Sequence, residues 1–292
     1  MQNKIPIIIA AFIVMVLFIV SISLLSCKSK TDISQGETET TAQADGTSAQ
    51  TQRETTAVKD ETSAAAETSA ATGTETTEEV KETIKNGEVT FLTEDGIELN
   101  GNVFGQGKKW VVLSHMYPTD QTSWFDFAQD LAQEGYVALT FDFRGYGKSK
   151  GDKEDIPNID KDIKAAISFV RQYKSEKLFL VGASMGGTVS IVVAAEDTGI
   201  SGVVSLASPD KMGKEFDALS VVSKLKMPKI FISAKGDDYH AESANRLYEN
   251  AVEPKTVEII ENSKEHGTFI FEKEPENAQI LKDLIINFLN SN

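Results

Sequence analysis

The reactive groups on offer in this sequence are one well-placed serine, three histidines and a supply of carboxylates. Ser184 lies in Gly182-Ala183-Ser184-Met185-Gly186, directly after the apolar run Leu178-Phe179-Leu180-Val181 and before a stretch that reads as helix from Met185. A serine hydroxyl is a poor nucleophile until a base takes its proton and the backbone exposes it. A sharp strand–turn–helix exposes it, and glycines at 182 and 186 leave room where a Cβ would strike neighbouring chain. A helix starting at Met185 also aims peptide N–H groups at negative charge forming beside Ser184. The bases available are His115, His240 and His266. The chemistry of such a set is acyl transfer, in which serine attacks a carbonyl and histidine carries the proton. By itself the five-residue pattern also describes an ordinary tight turn, so the surrounding elements decide.

Those elements alternate. Val89–Thr93 and Ile97–Phe104 flank Glu94-Asp95-Gly96, and Asp-Gly between two alternating runs predicts a β-hairpin. Trp110–Ser114 is a continuous apolar run, as expected of a strand buried on both faces. Helices are expected over Gln121–Gln133, Asp160–Tyr173, 185–196, Glu242–Ala251 and Pro275–Leu289, with a short helical piece within 211–224. Strands are expected over Val137–Phe141, Lys177–Val181, Gly202–Ala207, Lys229–Ala234 and Thr256–Ile260. This is the α/β class, with a mostly parallel central sheet, helices on both faces and an N-terminal hairpin. Chemistry in such sheets sits at the carboxyl ends of the strands, where Ser184 falls.

The chain has 292 residues, but its apolar content is unevenly spread. Residues 5–25 are almost all apolar, 28–85 nearly lack large apolar side chains, and 86–292 read as one globular domain. The formal net charge of −15, with no cluster of Lys and Arg, excludes nucleic acid as an expected partner. Lys4, the apolar run and a small residue before Cys27 form the parts of a secretory signal over 1–26. Leu24-Leu25-Ser26-Cys27 resembles the bacterial lipoprotein box, which implies lipidation of Cys27 and an anchor on the outer side of the cell membrane. An uncleaved apolar anchor is the alternative, since about 20 such residues can span a bilayer. Residues 27–85, rich in Thr, Glu, Ala and Ser, cannot bury enough apolar area to offset chain ordering and read as a disordered spacer.

The folded part resembles the α/β-hydrolase superfamily from Val89 to Leu289. Besides the serine turn, Leu113-Ser114-His115-Met116-Tyr117 resembles the strand end carrying the family's oxyanion loop, with Met116 where a glycine is usual. Phe141-Asp142-Phe143-Arg144-Gly145-Tyr146-Gly147-Lys148-Ser149 matches the family's Asp-x-Arg-Gly-x-Gly-x-Ser loop. The resemblance implies the order Ser, acid, His. It assigns Ser184 as nucleophile, His266 as base on the loop before the last helix, and Asp237 as acid at the end of Lys229–Ala234. Asp238 is the alternative one residue on. It also implies an oxyanion hole from the N–H groups of Met185 and Tyr117. His115 then has a structural role, His240 reads as a surface residue, and Asp142 and Arg144 as loop organisers.

Only Ser208–Met227 separates the strands where this family inserts a cap, too short for a bulky lid. A minimal cap suits exposed substrates, small or polymer-borne acyl compounds, and serine at 184 argues against halide or epoxide chemistry on a carboxylate. No metal constellation or phosphate loop is legible, so no metal and no cofactor are expected. Ester hydrolysis is the first reading. Thioester or amide cleavage on the same triad, or a non-catalytic surface module, stay open.

Overall fold

The computed structural model describes residues 84–292, which fall within the compact unit Thr72–Asn292. The expected signal segment, Cys27 and almost all of the expected spacer therefore lie outside the described residues. Among the described residues no helix is long and apolar enough to cross a membrane.

The first six strands are β1 (Gly87–Leu92), β2 (Glu98–Phe104), β3 (Lys109–Ser114), β4 (Val137–Phe141), β5 (Lys177–Ala183) and β6 (Gly202–Leu206). Two short strands follow, β7 (Lys211–Met212) and β8 (Phe216–Asp217), and then β9 (Lys229–Ala234) and β10 (Lys255–Ile260). Eight of them form one sheet in the order β1-β2-β4-β3-β5-β6-β9-β10. β1 and β2 form the antiparallel hairpin, β2 also runs antiparallel to β4, and every later pairing in this sheet is parallel. The helices are α1 (Phe125–Gln133), α2 (Ile159–Arg171), α3 (Met185–Ala194), α4 (Ala218–Val221), α5 (Asp238–Asn250), α6 (Phe269–Lys273) and α7 (Pro275–Ser291). This is the α/β-hydrolase architecture.

Alternation within the buried strands explains their unbroken apolar runs. Trp110 and Val112 of β3 pack on one face with Ile163, Val170 and Val189, while Val111 and Leu113 pack on the other with Phe127, Leu131 and Leu281. Successive side chains of a strand point to opposite faces, so a strand covered by helices on both sides needs apolar residues throughout.

Three stretches differ from expectation, one of them the short α6, for which the sequence suggests no helix. Residues 211–224, where the sequence suggests only a short helical piece, begin with the small hairpin of β7 and β8 and then form α4 and a 3-10 turn at Val222–Lys224. Two-residue strands are too short to leave a periodic signature. The helix expected from Glu242 begins at Asp238, one full turn earlier, and this shift matters for the site.

Candidate active site

β5 ends at Ala183 and α3 begins at Met185, so Ser184 alone makes the turn. Its backbone sits at φ +48°, ψ −115°, a conformation that residues other than glycine rarely adopt. The strain is held from both sides. Ser184 N–H donates to Leu206 O on the adjacent β6 at 2.8 Å, and Ser184 O accepts from Thr188 N–H at 3.0 Å. Gly186 lets the turn press against the end of β3, because a Cβ there would lie 2.5 Å from Ser114 O and 2.6 Å from His115 O. Ser184 remains partly exposed at the carboxyl edge of the sheet.

Asp237 follows β9 and is the residue from which α5 starts. His266 lies on the loop between β10 and α6, and its Nδ1 is 2.7 Å from Asp237 Oδ2. Asp237, not its neighbour Asp238, is the carboxylate that reaches His266. The expectation of a surface role for His240 is corrected: its Nδ1 is 2.7 Å from Asp237 Oδ1, and its ring lies 4.3 Å from that of His266. Burial pushes the Asp237 carboxyl up, but the hydrogen bonds from His240 and His266 outweigh it and bring the pKa down to about 2. An ionised carboxylate only accepts, so both rings carry their hydrogen on Nδ1 and, when neutral, keep a lone pair on Nε2. The cue for His240 in the sequence is its spacing, three residues after Asp237 at a helix start.

Gly267 follows His266 at φ +54°, and a Cβ there would meet Met116 Sδ at 2.5 Å and Ala183 Cβ at 3.5 Å. The histidine loop therefore packs directly on the residue before Ser184. It packs as closely on fully buried Met116, which stands where the family resemblance leads one to expect glycine.

His115 is buried and structural. Its Nε2 accepts from Phe143 N–H at 3.1 Å, which places the hydrogen on Nδ1, and Nδ1 donates to Met116 O at 3.0 Å. Burial pushes its pKa below the ordinary value and keeps the ring neutral. Met116 O also accepts from Thr119 N–H at 3.0 Å and from Thr119 Oγ1 at 2.9 Å. In a trans peptide the C=O and N–H point in opposite directions. With the Met116 carbonyl held toward His115 and Thr119, the N–H of Tyr117 faces the other way.

The loop after β4 is organised by Asp142 and Arg144. Asp142 accepts from Gln121 N–H and Lys148 N–H, each at 2.9 Å, and from Gln121 Nε2 at 3.0 Å. Arg144 is buried and donates through Nε and Nη2 to Asp162 and through Nη1 to Asp155 and Asp95. Replacing Asp142 by alanine is expected to cost about 3 kcal/mol, since two backbone N–H groups lose their acceptor at roughly 1–3 kcal/mol each. Urea denaturation measures it, and a loss below about 1 kcal/mol would show that water replaces the carboxylate.

No metal spacing is legible in the sequence, but the fold assembles one candidate group among the described residues. One ligand atom each of Asp237, His240 and His266 lies within 4.8 Å of the others. Two imidazoles and a carboxylate are donors that zinc accepts. Both Nδ1 atoms already donate to the carboxylate, whereas a metal would need their lone pairs.

The segment after β6 is tied down rather than raised over the site. Thr188 Oγ1 donates to Pro209 O at 2.7 Å, Ser243 Oγ to Ser208 O at 2.8 Å, and Arg246 Nε to Asp210 Oδ2 at 2.6 Å. A cleft of about 480 Å³ opens between the loop beyond Tyr117 and α6, with Thr119, Asp120, Ser123, Asp126, Thr268 and Glu272 among its lining residues.

Comparison with known proteins agrees with this fold. A family model described as serine aminopeptidase, S33, matches residues 105–235. A monoglyceride lipase homolog of Monkeypox virus is 28% identical over 106 residues, 35% of this chain and 38% of that protein. A 2-hydroxy-6-oxononadienedioate/2-hydroxy-6-oxononatrienedioate hydrolase of Escherichia coli is 29% identical over 121 residues, 40% of this chain and 38% of its own length. The chain thus spans well under half of these relatives. Among solved structures, the Pyrococcus furiosus esterase Pf2001 superposes with a TM-score of 0.61 at 21% identity, covering 71% of this chain and 91% of that one. The α/β hydrolase GrgF from Penicillium gives 0.60 at 15% identity, covering 71% and 99%. Taken with the sheet order and the strained serine turn, these matches show that the described part of the chain has the α/β-hydrolase fold.

Proposed function

We propose that the protein is a serine hydrolase that cleaves carboxylic esters by acyl transfer, with Ser184 as nucleophile, His266 as base and Asp237 as orienting acid. The observation that carries the reading is the 2.7 Å contact between His266 Nδ1 and Asp237 Oδ2, on a loop packed against the strained turn of Ser184. Asp237 fixes the hydrogen on Nδ1, which leaves Nε2 of His266 as the lone pair that takes the Ser184 proton. Ser184 Oγ then attacks the ester carbonyl, and the tetrahedral oxyanion is held by the N–H groups of Met185 and Tyr117. His266 passes its proton to the departing alkoxide, an acyl-enzyme remains, and water attacks it by the same route in reverse. Orientation of the Met116 carbonyl toward His115 and Thr119 supports Tyr117 as the second donor.

The minimal cap favours water-exposed esters, either small or borne on a polymer. The reading places the enzyme outside the cell on a lipid anchor at Cys27, supported by Leu24-Leu25-Ser26-Cys27 and the spacer that follows. A second reading, amide or peptide cleavage on the same triad, is favoured by the serine aminopeptidase description of the matching family model.

Labelling with a fluorophosphonate probe tests the chemistry. Folded wild type is expected to label on Ser184, and absence of labelling would end the serine-hydrolase reading. A panel of short-chain ester, thioester and aminoacyl-amide substrates then ranks the alternatives, with ester turnover expected to lead.

A further inference from the structure

We propose that His240 is a positioning residue of this site: by holding Asp237 Oδ1, it aims Asp237 Oδ2 at His266. The inference rests on the acyl-transfer reading above and adds a fourth member that the reading does not use.

Asp237 has no other hydrogen-bond donor for its carboxylate among the described residues; its two oxygens are each taken by one imidazole at 2.7 Å. Its own N–H goes to Ala234 O at 3.1 Å, and its carbonyl accepts from His240 N–H and Ala241 N–H at 3.0 and 2.9 Å. The main chain therefore fixes where the carboxylate starts, but not its rotation about the last side-chain bond. The contrast with Asp142 is instructive, because there two backbone N–H groups set that rotation. At Asp237 the rotation is set by His240.

His240 is well placed for this task. It sits in the first turn of α5, where side chains lean back toward the helix start and so over residue 237. The Tyr239 ring stands edge-on to it at 5.0 Å, and the His240 side chain is 20% exposed. An oxygen deprived of this donor can swing to water, and the other oxygen then leaves His266. That loss falls on the step in which His266 gains charge, since the carboxylate stabilises the imidazolium. The expected loss is therefore in turnover rather than in substrate affinity.

The variants H240A and H240N separate positioning from folding. The amide nitrogen of asparagine can stand where Nδ1 stood and still donate to Asp237. H240A is expected to lower kcat for a good ester substrate by roughly 10- to 100-fold with KM little changed. H240N is expected to recover most of that loss. In proton NMR, wild type should show two downfield imidazole N–H signals from the Asp237 pair. H240N should keep the one from His266, and H240A should broaden it. Thermal unfolding of both variants checks that they fold; if H240A does not, H240N and the NMR signals decide. Equal kcat in wild type and H240A, or no recovery in H240N with its His266 signal intact, would overturn the proposal while leaving the acyl-transfer reading in place. A wild type that refuses the fluorophosphonate probe would instead remove that reading, and the two downfield signals would then report the hydrogen-bonded pair alone.

Discussion

Replacing Ser184 by alanine is expected to lower kcat by roughly 10⁴- to 10⁶-fold and to abolish fluorophosphonate labelling. In the proposed mechanism the whole rate above background depends on the one oxygen that would form the acyl-enzyme. Residual turnover would come from oxyanion donors and substrate positioning alone, which are untouched. The same substitution should leave the stability of the fold nearly unchanged. Ser184 occupies φ +48°, a strained position, and alanine keeps the Cβ that makes it so. Kinetics on a short-chain ester and a thermal melt of the same preparation test both parts. A variant that keeps more than about 1% of wild-type kcat would show that the chemistry runs elsewhere.

The second large effect lies away from the chemistry. Arg144→Met is expected to destabilise the protein by about 3–5 kcal/mol, because it strands a buried carboxylate. Arg144 is one of the largest fully buried side chains, and Asp162, 0% exposed, accepts from its Nε, Nη2 and backbone N–H. Burial opposes the charge on Arg144. Its hydrogen bonds to Asp162, Asp95 and Asp155 outweigh that and raise its pKa above the ordinary guanidinium value. The same contacts, led by the Arg144 hydrogen bond, hold Asp95 well below the usual carboxylate range. For a folded part of about 200 residues, the loss corresponds to a fall in Tm of about 10 °C. The double variant R144M/D162L should regain part of it, since an apolar pair leaves no buried charge unpaired. If the double variant is no better than R144M, the damage comes from lost packing rather than from the orphaned carboxylate.

How much of this is legible in the sequence follows from the physics of each element. β3 and β5 are readable because burial on both faces demands apolar residues at every position. The turn at Ser184 is readable because only small residues fit where the chain comes so close to Ser114 and His115. The acid narrows to Asp237 or Asp238, and only tertiary geometry separates them, since one residue reaches His266 and the next begins a helix. His240 escapes a sequence reading for a related reason. Asp238-Tyr239-His240 is weak in helix propensity, so a helix is expected only from Glu242, and its first turn passes for loop. Once that turn is helical, a side chain three residues after the acid folds back onto it. The five-residue α6 leaves no trace at all, being shorter than the window in which a helical period shows. Gln121 carries no motif, yet it ties Asn100, Asn102, Thr140 and Asp142 together behind the loop, because it faces several polar groups brought close by the sheet.

The contact between Met116 and Gly267 has a consequence for how this site can be remodelled. Any side chain at 267 would run into the Met116 sulfur, and that position also has a left-handed backbone. Shortening Met116 alone leaves a hollow beneath the histidine loop, and enlarging residue 267 alone forces that loop away from Ala183. Neither position can be altered first without passing through a weakened protein. The two form a single heritable unit, a lock with two tumblers that must turn together.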